Sequence, residues 1–288
     1  MSARRTRLLV GNAVATALTA TVLVAMTAAP AAAEPVEATY TCTFPLFDEL
    51  DVTLTLDVPE LPAELPVGIP VPDGTWDVEG LLTLPDLALT LLLGAVGVSG
   101  TTDDLELLFG DDTVPVDLGS PLGDLPVLGD IDLPLSGHNH EFVPAEVGKH
   151  VVALPDTFDL HLLDDVGTDA LDVSCEYWDE DNEIGTVKVV KQTSTLTTTV
   201  LKKTVKVGER AKVLVSVVDQ LDEGAVGDVV ASVNGVRVGQ GTLRQGAAKL
   251  RIAGLPVGKH RVKLTYLGTE TVAKAVKTVT VKMVKRRS

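Results

Sequence analysis

The sequence predicts an all-β chain, two β-sandwich-like domains in tandem behind an N-terminal signal peptide, and three observations carry that expectation. Leu50–Val58 alternates apolar and polar residues over its whole length, the period of a strand with one buried face. Prolines 59, 62, 66, 70 and 72 exclude a helix between that strand and the next, and prolines 115, 121, 126, 134, 144 and 155 continue the pattern of short extended segments. The sign of charge also reverses: residues 34–183 carry 34 Asp and Glu against the single Lys149, whereas residues 184–288 carry 20 Lys and Arg against 6 acids. So sharp an opposition marks two domains, and 288 residues are enough for both.

Residues 1–33 are expected to be a secretory signal peptide. Arg4, Arg5 and Arg7 precede an uncharged run from Leu8 to Pro30, and Ala31-Ala32-Ala33 supplies the small residues that signal peptidase needs before Glu34. An uncleaved anchor is the alternative reading. Arg4-Arg5 also raises a folded-export route, but Arg7 stands where that signal prefers an aromatic or Leu, so general secretion is favoured. Outside the cytoplasm a pair of cysteines is expected to be bridged. Tyr40-Thr-Cys42-Thr-Phe44 and Leu171-Asp-Val-Ser-Cys175-Glu-Tyr177 each place Cys on the apolar face of an alternating run, so Cys42 is expected to bond Cys175 and to join the first and last strands of the acidic domain. Closing so long a loop is worth about 5 kcal/mol in the chain-entropy description.

The acidic domain, residues 34–183, reads as an antiparallel sandwich or barrel. After Leu50–Val58, the stretches Thr75–Leu84 and Val151–Leu162 show the same alternation less cleanly. Leu81–Val98 is long and Leu-rich, and a membrane span must be weighed. Pro85, Gly94 and Gly97 break it and Leu87, Leu89 and Leu91 alternate, so a pair of strands buried on both faces explains it better. With 3% aromatic residues, the cores are expected to rest on Leu, Val and Ala rather than on ring contacts. Few rings and a large negative charge also argue against nucleic acid as a partner.

Candidate chemistry is sparse. His138 and His140 lie at i and i+2, on one side of a strand, with Glu141 adjacent and Glu146 near; the spacing to Glu146 is one residue too long for a cupin-like metal site, so loop polar groups are the preferred reading. Asp179-Glu-Asp-Asn-Glu-Ile-Gly185 has the flavour of a calcium loop, but its Gly falls one place late and the bidentate Glu is missing, which favours a solvated acidic linker. Ser99 and Ser120 lie beside glycines without completing a nucleophile elbow. Carboxylates are too many for any pair to be singled out. The sequence therefore nominates no catalytic residue, cofactor or metal, and Cys42 and Cys175 are its site residues.

Residues 187–283 form the basic domain, with 284–288 a basic tail. Ala211–Val218, Asp228–Val233, Val236–Val238, Ala248–Ile252, Lys259–Leu267 and Ala273–Met283 read as strands, and Asn234-Gly235 is a hairpin turn. About seven strands in such a length predict an immunoglobulin-like sandwich. Thr195-Leu-Thr-Thr-Thr199, Val207-Gly-Glu209, Val233-Asn-Gly-Val-Arg-Val-Gly239 and Gly254–Gly268 resemble a bacterial Ig-like repeat, whose Leu-x-x-Gly-x-His turn and Tyr-bearing strand correspond to Leu255, Gly258, His260 and Tyr266. The strongly basic charge and the want of tandem copies depart from that family. The resemblance implies a spacer or adhesive module on an exported protein and transfers no catalytic residue; His260 and Tyr266 read as corner and core residues. The acidic half, with its Tyr-x-Cys opening and Cys-x-Tyr close, resembles a domain of unknown function recurring in exported proteins of actinobacteria.

These readings lead to an exported, non-enzymatic protein, extracellular or loosely associated with the cell wall, whose basic domain is a spacer or docks by charge on anionic wall polymer or an acidic protein. The end of the sequence shows neither a sortase signal nor a second membrane segment, so retention at the cell is expected to be noncovalent. The alternatives are a secreted polysaccharide-active hydrolase with an Ig-like accessory domain, and a calcium-stabilised binding module. An intramolecular docking of the basic domain on the acidic one is the simplest competing use of the charge.

Overall fold

The structure, a computed structural model, describes residues 35–286 other than 46, 86–96, 125, 127–128, 165–168 and 178–181. The expected signal peptide, most of Leu81–Val98 and the Asp179–Asp181 part of the expected acidic linker lie outside the described residues. Among the described residues every regular element is a strand, and no helix is long and apolar enough to cross a membrane.

The first eleven strands are β1 (Val36–Phe44), β2 (Phe47–Asp57), β3 (Glu64–Pro66), β4 (Asp77–Leu84), β5 (Gly97–Phe109), β6 (Asp112–Gly119), β7 (Gly123–Asp124), β8 (Ile131–Asn139), β9 (Gly148–Ala153), β10 (Thr157–Asp164) and β11 (Asp169–Glu176). The alternation read at Leu50–Val58 is realised in and just beyond β2, where Val52, Leu54, Leu56 and Val58 are buried. Strands β10-β11-β1-β2-β4-β8-β6-β5 pair in that order, and β5 pairs back to β10 from Thr101 opposite His161 to Val98 opposite Asp164. All eight neighbouring pairs are antiparallel. These eight strands thus form a closed barrel, the second of the two forms expected for the acidic half, and closure leaves no free edge within the ring itself.

Length is what lets β5 close the ring. Its first half borders β10, while Leu108 and Phe109 border Ala153 and Val152 of β9, with a bulge at Thr102/Leu105 between them. The run Val151–Leu162, expected as one strand, is therefore two. Pro155 breaks it, and β9 and β10 lie against different parts of β5.

Strand β12 (Glu183–Val190) continues from β9 and carries β3 in parallel on its far side. Ile184, Val187 and Val189 pack in the first core, so the change of domain expected at 183–187 occurs after them. Glu183–Gly185, part of the expected calcium-like segment, is strand, and Asn182 Nδ2 donates to the Leu154 carbonyl at 2.9 Å.

Cys42 and Cys175 are bonded and stand directly opposite each other in the β1–β11 register, both fully buried. Because β12 still follows, the bridge ties the first strand to the last strand of the ring rather than to the last strand of the core. Rings gather more than the composition suggested. Tyr40 packs on Phe158 and Tyr177, and Trp76 on Phe109 and Phe142. Tyr40 also donates its hydroxyl proton to the Pro155 carbonyl at 2.8 Å, and burial pushes its pKa well above the ordinary tyrosine value.

The second core begins at Leu196. Its strands are β13 (Thr195–Val200), β14 (Thr204–Lys206), β15 (Ala211–Val218), β16 (Gly227–Val233), β17 (Val236–Leu243), β18 (Ala247–Ile252), β19 (Gly258–Tyr266) and β20 (Ala275–Val284). They form a three-stranded sheet, β13-β15-β18, and a five-stranded sheet, β14-β20-β19-β16-β17, packed as a sandwich. Asn234 and Gly235 both have positive φ, as a tight hairpin between β16 and β17 requires. Tyr266 is buried with its hydroxyl donating to the Val226 carbonyl, and the Pro256 carbonyl accepts from His260 Nε2, so both residues serve the core and the corner.

Between the cores, Gln192 is buried and belongs to both. Its side-chain Nε2 donates to the Val67 carbonyl of the first unit at 2.9 Å, while its backbone N–H donates to the Thr271 carbonyl and its carbonyl accepts from Ala273 N–H in the second. Lys191 Nζ donates to the Thr269 carbonyl beside it.

Candidate functional site

Two places concentrate polar chemistry. The first lies at the end of β8. Ile131, Leu133 and Leu135 point into the barrel, and continuing their period sends Asn139 inward and His138 and His140 outward. His140 Nε2 lies 2.8 Å from Asp117 Oδ2 of β6, and His140 Nδ1 lies 3.3 Å from Asp73 Oδ1. His138 stands further from Asp73, at 3.9 Å. Gly137 permits this arrangement, because a Cβ there would fall 1.8 Å from the Asp117 carbonyl oxygen and drive β6 and β8 apart.

The hydrogen bond that His140 donates to Asp117, followed by that residue's charge, holds His140 above the ordinary histidine pKa, with Asp73 adding to the effect. A raised pKa in the folded chain stabilises below the unfolded value, about 6.5, and the contribution disappears as pH rises through the folded value. Asp117→Asn is therefore expected to move the His140 midpoint down toward the ordinary value, measured by ring-proton NMR. An unmoved midpoint would show that the pair does not form in solution.

Asn139, which the sequence reading passed over, holds the strip in place. Its Oδ1 accepts from the backbone N–H groups of Thr75 and Trp76 at 3.0 and 2.7 Å, and its Nδ2 donates to the carbonyls of Pro72 and His140 at 3.2 and 2.7 Å. Glu146 is elsewhere: its carbonyl accepts from His150 Nε2, and it lines a separate hollow with Asp111, Asp112 and Lys149. Among the described residues no three His, Cys, Asp or Glu side chains group as metal ligands would. Ser99 lies within β5, and Ser120 is buried with its hydroxyl donating to the Pro121 carbonyl at 3.1 Å. His161 Nδ1 meets Asp172 Oδ1 at 2.8 Å, its cross-strand partner on the barrel wall.

The second place is the outer face of the five-stranded sheet. Its strands carry seven Lys and Arg against one carboxylate, Asp228, which accepts a hydrogen bond from Thr242. Val262, Leu264 and Tyr266 of β19 are buried, so Lys259, Arg261 and Lys263 point outward, and all three are exposed. Lys282 stands directly opposite Lys259 on β20, and Thr204 of β14 opposite Lys282. Among the described residues, ion pairs lie within one core or the other, and the carboxylate so engaged in the second core is Glu209, with Lys202. That pair lowers the Glu209 pKa, the Lys202 hydrogen bond first.

Fold and sites together define an all-β protein made of a disulfide-tied acidic barrel and a cationic sandwich. The chain belongs to the family of unknown function DUF6801, whose model matches residues 39–185, the barrel portion. No curated protein matches it. Among solved structures it is similar to a putative membrane anchored protein from Corynebacterium diphtheriae, at 12% identity and a TM-score of 0.41 over 88% of this chain and 59% of that one. It is also similar to the fibronectin(III)-like modules of CbhA from Clostridium thermocellum, at 14% identity and a TM-score of 0.29 over 80% of this chain and 94% of that one. A third likeness is to a β-D-glucuronidase from Dictyoglomus thermophilum, at 10% identity and a TM-score of 0.19 over 86% of this chain and 43% of that one.

Proposed function

We infer that this protein is an exported, non-catalytic surface module in which the Ig-like sandwich docks on an anionic polymer of the cell wall. The observation that carries the reading is the outer face of the five-stranded sheet, where cations are exposed and Asp228 is the one strand carboxylate. The bacterial Ig-like resemblance of residues 187–283 and the leader-like first 33 residues support the same placement outside the cell. Docking of the basic half on the acidic half uses the charge less well. The junction at Gln192 is built of neutral hydrogen bonds, and the cations of the open face are left exposed.

Attraction between an exposed cationic face and a polyanion is screened over about 10 Å at 0.1 M salt. The full chain is therefore expected to be retained on purified cell walls at low salt and released as salt is raised, followed by sedimentation. Retention indifferent to salt, or none at low salt, would remove the reading.

A further inference from the structure

Within that docking surface, and resting on the reading just given, the geometry points to one groove as a phosphodiester-binding site. The groove, of about 430 Å³, is lined by Val200, Lys203, Thr204, Lys259, Thr280 and Lys282, together with Val279. Three lysines and two threonines thus line one hollow, and no Asp or Glu is among its lining residues. Lys259 and Lys282 are a directly opposed cross-strand pair. Like charges so placed repel, and an anion between them converts the repulsion into attraction.

Another part of the sandwich serves as an internal comparison. The three-stranded sheet also opposes two cations, Lys212 and Arg251. The hollow beside Lys212, however, includes Glu209, which already supplies negative charge there. Among the residues that line the Lys259–Lys282 groove none does so.

Lys binds phosphate as a point charge, and the oxygens it leaves free suit hydroxyl donors such as Thr. The groove holds Lys and Thr and no Arg. From Lys259, the outward residues Arg261 and Lys263 continue along β19 with about 7 Å between successive positions. Such a row suits a linear chain with one negative charge per repeat of similar length. We propose that the groove seats one phosphodiester of a polyol phosphate chain and that Arg261 and Lys263 follow the next ones.

The test uses the full chain and poly(glycerol phosphate) as probe, with polygalacturonate as the carboxylate comparator. Replacing Lys203, Lys259 and Lys282 together by Gln is expected to weaken binding of the phosphate polymer about tenfold. Replacing Lys212, Lys249 and Arg251 by Gln removes the same charge from the other sheet and is expected to weaken it much less. Equal losses in the two variants would overturn the groove while leaving charge-driven docking in place. Tighter binding of polygalacturonate than of poly(glycerol phosphate) would overturn the phosphate assignment. Failure of the unmodified chain to bind either polymer would overturn both this site and the broader reading. Folding is controlled by Lys282→Glu alone, which removes the repulsion with Lys259: the melting temperature should rise or hold while phosphate binding falls. A lower melting temperature would contradict the unrelieved repulsion on which the site depends.

Discussion

Replacing Cys42 and Cys175 together by Ala is expected to lower the unfolding free energy of the barrel by about 5 kcal/mol, from loop closure alone. The two residues are separated by 133 positions in sequence, so the bridge removes a large share of the unfolded chain's freedom. In the fold they sit face to face on neighbouring strands of the ring, where no rearrangement is needed to join them. Domains of this size hold about 5–15 kcal/mol in total, so the loss would be about a third or more of the barrel's stability. Both Trp of the chain, Trp76 and Trp178, precede residue 183. Tryptophan fluorescence in urea therefore follows the barrel separately from the sandwich. A loss below about 1 kcal/mol would mean that the unfolded chain is already held compact by other contacts.

Asn139→Ala is expected to cost about 4 kcal/mol, because it strands the N–H groups of Thr75 and Trp76 without their acceptor in the interior. It also frees the segment that seats Trp76 against Phe109 and Phe142. Changing His138 and His140 together to Ala, by contrast, should cost much less, since both side chains are roughly half exposed at 49% and 46%. Urea unfolding of the two variants at neutral pH makes the comparison. A larger loss from the histidine pair would reverse the assignment and make the strip, rather than the residue between, the stabilising group.

That contrast shows where the sequence could be read and where it could not. Period-two patterns located β2 and β15 closely, because each has one face in a core and one in water, and the burial pattern of β15 repeats its sequence pattern. Asn234-Gly235 marked its turn because few residues tolerate positive φ twice in succession. The same period, continued from Ile131 through Leu135, places Asn139 inside and the histidines outside. Closure of the barrel was not local information. It depends on Val98–Thr101 meeting His161–Asp164, and on β5 being long enough to serve two neighbours along one edge. The short edge strands β3 and β14 pair in parallel with distant partners, so nothing in their three residues announces them. Charge changes near residue 183, whereas burial in the first core continues to Val189, so charge and packing do not change at the same place.

Gln192 gives the charge asymmetry a direction. A string of free residues between an anionic body and a cationic one would let each tumble by itself, and their fields would average. The hydrogen bond from the Gln192 side chain to one body and those of its backbone to the other instead favour one direction from negative to positive. A particle with a permanent moment turns in the field of a charged plane before it touches, so on the anionic surface inferred above it would arrive cation first although the net charge of the full sequence is −16.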